Sequence, residues 1–298
     1  MGAPMKQLAL FGRWTHRIDR SILNAWKDFL DNQGVSLLVE EQFAEAWSKV
    51  VGGSWEFITF RARREIEQAD VAFVIGGDGA FLDAARVVAP IGIPLVGIHA
   101  GRLGFLTEVP QEKLIPLTES VLHRRYTLDE RSLLQITTEP PIFQPEEGFA
   151  LNEVTFSKSL TVEMILIDVY LNGELINTYW ADGLIVATPT GSTAYSLACG
   201  GPILTPQCAN FLLTPIAPHS LTIRTLVIPD SGVLSLTFRS HTGQIQIALD
   251  GKTTAVPDTT AVALRKAQTA LKVVRASPKG YFETLRDRLA WGSDRREW

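Results

Sequence analysis

Cysteine is scarce in this chain, with two residues, Cys199 and Cys208, in 298. Two thiols cannot build a disulfide framework, and they lack the paired spacing of a metal site. A reducing, cytoplasmic compartment is therefore the simpler expectation. Basic excess is lacking too: 28 Lys and Arg against 32 Asp and Glu leave a net charge of −4. That balance argues against a nucleic-acid or membrane-surface partner, since both want clustered positive charge. No apolar run reaches the ~18 residues that a membrane-spanning helix requires. The first residues hold one Lys and a short apolar stretch, too little for a signal peptide. Repeats and low-complexity tracts are missing. What remains is an ordinary globular composition, 46% hydrophobic and 20% charged. It is long enough for one large or two medium domains with real cores.

The periodicity changes partway along. Residues 7–11 form a short apolar strand candidate, and 18–30 place Ile18, Ile22, Leu23, Trp26, Phe29 and Leu30 at helical spacing. Gly34 stands where a left-handed helix cap is expected. Residues 35–39, 71–75 and 94–98 are further apolar strands, and 80–89 read as a helix. Uninterrupted runs such as Val71-Ala72-Phe73-Val74-Ile75 mark strands buried on both faces of a parallel sheet. From about residue 127 the segments become short, alternating and rich in β-branched residues, as in 132–137, 164–171 and 235–238. Asn172-Gly173, Asp182-Gly183, Asp230-Ser231-Gly232 and Asp250-Gly251 punctuate them as turns. The expected fold is an α/β nucleotide-binding-type domain with a parallel sheet over 1–125 and a β-sandwich-like domain over 126–275. An amphipathic helix in 276–298, bearing Tyr281, Phe282, Leu285, Leu289 and Trp291, returns to the first domain.

Three groups of residues carry chemistry. Gly76-Gly77-Asp78-Gly79 directly follows a buried strand and precedes a helix. Successive glycine amides there can gather around an anion, and a carboxylate among them can take a proton from an attacking hydroxyl. Taken alone, the same tetrapeptide is also a tight strand-to-helix turn with an Asp cap. Asn152-Glu153 offers two hydrogen-bonding side chains at the start of a strand; as a dipeptide it reads equally as a solvated loop pair. The third group is the most specific. Residues 181–202, ADGLIVATPTGSTAYSLACGGP, hold four Gly, two Pro, three Thr and two Ser in 22 positions. An apolar strand leads into a hydroxyl-rich, backbone-accessible turn and a short helix beginning near Thr193. Thr190, Ser192, Thr193 and Ser196 supply donors and acceptors, and Tyr195 adds a ring that can pack on a base.

This last segment, with Gly76-Gly77-Asp78-Gly79 and Asn152-Glu153 in the same order and spacing, resembles the signature of the NAD kinases. Similar stretches are His99-Ala100-Gly101-Arg102-Leu103-Gly104-Phe105-Leu106, Pro218-His219-Ser220-Leu221, Asp250-Gly251-Lys252 and the tail from Tyr281 to Trp291. The resemblance implies transfer of the γ-phosphoryl group of ATP to the adenosine 2′-hydroxyl of NAD, with Asp78 as general base. It implies that the amides of Gly76, Gly77 and Gly79 hold phosphates and that Asn152 and Glu153 meet ribose or adenine. Thr193, Ala194, Tyr195, Ser196, Leu197 and Ala198 would shape the adenosine pocket. Asp182, Ala217 and Lys252 would meet the nicotinamide half, partly across a subunit interface in a homodimer or homotetramer, and Trp180 would also contact the dinucleotide. Mg²⁺ or another divalent cation would arrive with ATP, held by phosphate and water rather than by a protein cage.

The chain departs from the family pattern at four places. Ala80 stands where Thr is usual, which removes a hydroxyl worth roughly 1.5–3 kcal/mol if it bonded a charged group. Ala198 replaces a common Ser, His99 replaces Asn, and Trp180 fills a position that varies with preference for NAD or NADH. Two rival readings stay in view. A lipid kinase would share the Gly-Gly-Asp-Gly loop but lack the segment 188–196. A non-catalytic NAD sensor would keep the pocket without turnover; retention of Asp78 speaks against it. A dinucleotide-dependent oxidoreductase fails because no Gly-x-Gly-x-x-Gly turn follows the first strand. His219, in a Pro-flanked turn, is expected to make a structural hydrogen bond to backbone.

Overall fold

The computed structural model describes residues 5–13, 17–51, 58–101, 103–159, 162–275 and 280–290. Arg102, residues 276–279 and the end of the chain from Trp291 lie outside them. The chain divides into two units, residues 1–130 with 271–298, and 131–270.

The first unit contains β1 (Gln7–Gly12), α1 (Arg20–Asn32), β2 (Ser36–Glu40), α2 (Glu41–Val51), β3 (Ile58–Phe60) and β4 (Val71–Gly76). It continues through α3 (Asp78–Val88), β5 (Leu95–His99), β6 (Val109–Pro110), α4 (Leu114–Leu122) and β7 (Thr127–Arg131). After the second unit the chain returns with β20 (Leu271–Arg275) and α6 (Tyr281–Leu289). The sheet runs β3-β2-β1-β4-β5-β20-β7, with β6 beside β5. Its strands pair in parallel from β3 to β20. Val71, Phe73, Ile75, Val96 and Ile98 are fully or almost fully buried because helices need both faces of such a sheet. Trp26 packs into this core, and its indole N–H donates to Thr118 Oγ1 at 2.7 Å.

The order 3-2-1-4-5 reverses direction between β1 and β4. In open α/β sheets the crevice beyond the carboxyl ends of the strands at such a reversal is where ligands bind. Asp78 follows β4 at that point. Asp19 caps α1 by accepting the Ser21 N–H, and that helix covers the expected 18–30 stretch two residues late.

The second unit holds β8 (Leu134–Glu139), β9 (Phe149–Ala150), β10 (Glu153–Lys158), β11 (Ile165–Leu171), β12 (Glu174–Ala181) and β13 (Gly183–Ala187). There follow α5 (Tyr195–Ala198), β14 (Asn210–Ile216), β15 (Leu226–Pro229), β16 (Leu234–Arg239), β17 (Gln244–Leu249), β18 (Lys252–Pro257) and β19 (Ala261–Lys266). They make two six-stranded sheets, β15-β14-β13-β10-β17-β18 and β12-β11-β16-β19-β8-β9. Val154, Phe156, Ile245 and Ile247 of one sheet share a core with Ile167, Val169, Leu236 and Phe238 of the other. Alternation along β16, buried at every second residue, is the pattern a sandwich strand needs. The fold is thus an α/β unit with a parallel sheet and an antiparallel β-sandwich.

The boundaries differ from the expected 125 and 275. β20 pairs in parallel with β5 through Val273 and Leu95, and β7 follows it in the same sheet. Residues 271–275 look like any other β-branched strand, so only their pairing assigns them to the first unit. α6 also belongs there, with Leu285 2% exposed and the Arg288 guanidinium 5.5 Å from the Phe105 ring centroid.

Candidate active site

In the first unit, the sharp turn after β4 places Gly77 as the N-cap of α3 and Asp78 as its first residue. The N–H groups of Asp78, Gly79 and Ala80 open the helix without intrahelical partners, next to the positive end of its dipole. Gly79 faces open space, whereas Gly76 is drawn into the ladder opposite His99. Ala80 is 7% exposed, and a β-carbon on Gly76 would meet its methyl group at 2.8 Å. The residue that departs from the family pattern therefore packs inward against the turn.

The Asp78 carboxylate is bonded on both oxygens. Oδ2 accepts the Phe105 N–H at 2.9 Å, and Oδ1 accepts those of Leu106 at 3.0 Å and Thr107 at 3.2 Å, with the Thr107 hydroxyl also at 3.2 Å. This fixes the side chain in one orientation. The loop is braced in turn by the last part of the chain. Besides Arg288 over Phe105, Arg275 on β20 reaches Glu108 at 2.9 Å, both side chains being largely buried. Three of the four donors to Asp78 are backbone N–H groups, which carry no sequence signal pointing to it.

In the second unit the segment after β13 locks onto the strand that carries Asn152-Glu153. Thr188 donates its hydroxyl to Leu151 O at 2.5 Å and its N–H to Asn152 O at 2.9 Å. Gly191 is required here: a β-carbon on it would lie 2.1 Å from Asn152 O. A 3₁₀ turn, Thr190–Thr193, and then α5 follow. The hydroxyls in this segment divide into two classes. Ser192 and Ser196 are fully buried and bonded internally, Ser192 to Pro189 O at 2.7 Å and Ser196 to Thr214 Oγ1 at 2.8 Å. Thr193, Ala194, Tyr195, Leu197 and Ala198 keep exposed or part-exposed side chains. Of the six residues expected around adenosine, Ser196 thus offers no free hydroxyl.

Glu153 is 8% exposed, and its carboxyl is pushed up to about 8 by burial first and the Asp250 charge second, against the backbone N–H of Tyr195. The Tyr195 phenol is raised by burial and by Cys199, with Glu153 and Asp182 also acting on it. Glu153, Tyr195 and Asp182 are therefore within electrostatic reach of one another around the 190–198 turn. Lys158 Nζ pairs with Asp182 Oδ1 at 2.8 Å. Beside Asp182, the rings of Trp180 and His219 stack at 4.0 Å with 20° between their planes. The His219 backbone N–H donates to Trp180 O at 2.9 Å, so the expected structural bond uses its main chain while its ring covers the indole. Ala217, at φ 42°, makes the sharp bend that brings His219 back, and Lys252 is exposed just past the Asp250-Gly251 turn. Sequence reasoning named Asp250 only as a turn residue within the Asp250-Gly251-Lys252 resemblance and Thr188 only as the start of the hydroxyl-rich turn, and it did not name Lys158. Asp250 reads as a hairpin turn residue, and its partners lie nearly 100 positions away. Among the described residues, no group of three or more His, Cys, Asp or Glu could hold a metal ion.

Comparison with known proteins agrees with this layout. Residues 16–126 match the ATP-NAD kinase N-terminal domain, and residues 151–276 match the ATP-NAD kinase C-terminal domain. The NAD kinase of Flavobacterium johnsoniae is 39% identical over 293 residues, covering 97% of this chain and 99% of that protein. That of Bacteroides fragilis strain ATCC 25285 is 44% identical over 228 residues, 76% of this chain and 78% of that protein. Yeast NADH kinase complexed with NADH superimposes with a TM-score of 0.88 at 20% identity, over 98% of this chain and 89% of that one. An NAD kinase from Archaeoglobus fulgidus in complex with ATP gives 0.73 at 21%, over 95% and 98%. These two structures share the fold. With both domains matched and full-length relatives near 40% identity, the chain belongs to the NAD kinase family, and it is a phosphotransferase.

Proposed function

We infer that this protein transfers the γ-phosphoryl group of ATP to the 2′-hydroxyl of the adenosine ribose of NAD, giving NADP and ADP. The observation that carries the reading is the locking of the 188–196 turn onto the Leu151-Asn152 backbone, beside which Glu153, Tyr195 and Asp182 act electrostatically on one another. In this reading Asn152 and Glu153 meet ribose or adenine, and Tyr195 packs on the base. Thr193, Ala194, Leu197 and Ala198 complete the adenosine pocket, with Ser196 acting through its backbone. Asp182, Ala217 and Lys252 serve the nicotinamide half, and Trp180 bears on the choice between NAD and NADH.

Asp78 takes the proton of the 2′-hydroxyl as its oxygen bonds to the γ-phosphorus and the bond to the β-phosphate oxygen breaks. Its support is positional: an oriented carboxylate at a helix N-terminus whose first amides, with Gly77 and Gly79, suit phosphate. The described residues offer no metal cage. A divalent cation enters as part of the ATP substrate, held by phosphate oxygens and water.

Both thiols are free, which fits a reducing cytoplasm. A homodimer or homotetramer fits the outer strand β15, where Leu226 and Val227 are 41% and 42% exposed. Light scattering at micromolar protein tests that assembly.

The test of activity is direct. Protein incubated with Mg-ATP and NAD, then assayed with a dehydrogenase specific for NADP, yields NADP. Binding of NAD without NADP from either ATP or polyphosphate, and with NADH equally inert, would replace the enzyme by a sensor.

A further inference from the structure

Asp250 lies on the turn between β17 and β18, 97 positions after Glu153, yet it holds the backbone of the whole Leu151-Asn152-Glu153 stretch. Its Oδ2 accepts the Leu151 N–H at 2.8 Å, and its Oδ1 accepts those of Asn152 at 2.8 Å and Glu153 at 3.1 Å. Its own N–H returns a bond to Glu153 O at 3.1 Å. Asp250 at φ 46° and Gly251 at φ 82° are the two left-handed positions of the hairpin turn joining β17 to β18, and that turn presents the Asp250 carboxylate to the three N–H groups.

What this clamp holds is unusual. Glu153 is more than nine-tenths buried, and its Oε2 has no hydrogen-bond partner among the described residues. Its backbone-bonded neighbour Asp250 is an anion. Tyr195 faces it from α5, with Cys199 and Asp182 acting on that phenol. Arg131, in the same region, directs its guanidinium to Thr190 Oγ1 at 3.4 Å, and Lys252, one turn residue beyond Asp250, is exposed. Burying a carboxylate beside another anion favours its neutral form, and a neutral carboxyl carries an O–H donor that a carboxylate lacks.

We propose that Asp250 is the positioning residue of this site: its carboxylate braces Asn152 and Glu153, and its charge keeps Glu153 neutral, so that Oε2–H donates to the bound dinucleotide. This rests on the reading of Asn152-Glu153 as part of the NAD site. The ligand atom is an acceptor, a ribose oxygen or a ring nitrogen, and its arrival gives Glu153 Oε2 a partner. The pyrophosphate brings further negative charge, which also disfavours a second anion. Glu153 titrates near 8 in the free protein. Affinity for NAD is then level at lower pH and falls about tenfold per pH unit once Glu153 ionises.

The experiment measures NAD affinity of the full chain by calorimetry from about pH 6 to about pH 9.5, spanning that ionisation. The wild-type protein gives the break. Glu153→Gln, whose amide cannot ionise, gives a flat profile at whatever affinity the amide supports. Asp250→Asn keeps an acceptor for the Asn152 and Glu153 amides but removes the charge, and it moves the break to lower pH. A wild-type profile without a break overturns the proposal, and so does a break that survives in Glu153→Gln. An Asp250→Asn variant that binds weakly with its break unmoved overturns the charge role. If that variant does not fold, the wild-type and Glu153→Gln pair decides. Failure to bind NAD at every pH overturns the NAD-site reading itself, an outcome distinct from binding with a flat profile.

Discussion

A β-carbon on Gly104 would lie 2.0 Å from Asp78 Oδ1, so the loop after β5 and the Asp78 carboxylate interlock with no room for a methyl group. Gly104→Ala therefore displaces the carboxylate, the loop or both. Overpacking of this kind destabilises by roughly 1–3 kcal/mol. Because the displaced group is the proposed base, turnover falls by about 10²–10⁴-fold. Initial rates and thermal unfolding of the same preparation check both figures, and a variant with wild-type turnover would show that the orientation of Asp78 is irrelevant.

Asp78→Asn separates chemistry from bracing less cleanly than its isosteric shape suggests. The remaining oxygen can keep the Leu106 and Thr107 donors, but the new amide faces the Phe105 N–H, donor against donor. We expect a stability loss of roughly 1–3 kcal/mol from that mismatch. We also expect a kcat loss of about 10²–10⁴-fold with KM for NAD little changed. Near-normal turnover would remove Asp78 from the base role.

Ser196→Ala distinguishes a ligand contact from a packing contact. The hydroxyl is fully buried and shares a 2.8 Å bond with Thr214. Removing it leaves Thr214 with one partner fewer and should lower stability by about 1–3 kcal/mol. KM for NAD should stay near its wild-type value. A large rise in KM without a fall in melting temperature would put the hydroxyl on the substrate.

Glu153 also writes itself into the stability profile. Its carboxyl ionises near 8 when folded, above the ordinary carboxylate range of the unfolded chain. Between those two values the native state holds the extra proton, so stability contributed by this residue is highest in acid and declines as pH rises through 8. Glu153→Gln should flatten that decline, gaining on the wild type in alkaline buffer. Melting temperatures taken across the range decide it: a wild type that is steady from mildly acid to mildly alkaline pH contradicts the assignment.

Much of the architecture was legible because it rests on local patterns. The run 71–75 could be only a doubly buried strand, and it is β4 extended by Gly76. The helix after it begins at Asp78 rather than Ala80, since Gly77 supplies the cap and Asp78 is already helical. Asn172-Gly173 announced the β11–β12 hairpin, with Asn172 at φ 52° and Gly173 at φ 86°. The short helix expected near Thr193 splits into a 3₁₀ turn and α5. Helices α2 and α4 were not anticipated. The functional clamps were illegible for a different reason. Asp78 and Asp250 are held through, or hold, backbone N–H groups, and every residue except proline carries one. Spacing along the chain cannot reveal such a bond, whereas the steric demands of Gly104 and Gly191 make it visible once the fold is known.

The first sheet is finished by a strand that translation delivers last. β20 lies between β5 and β7, while every strand of the sandwich comes from the contiguous stretch 134–266. On the ribosome the sandwich has all its parts before the older, N-terminal half does, reversing the usual order in which domains mature. Until residue 275 has emerged, β7 lacks β20 as its neighbour, and the edge of β5 that β20 will take is covered only by the two-residue β6, at Ile98 and His99, leaving the kind of surface that recruits other chains. A premature stop anywhere short of β20 should therefore yield an aggregating product rather than a merely shortened enzyme.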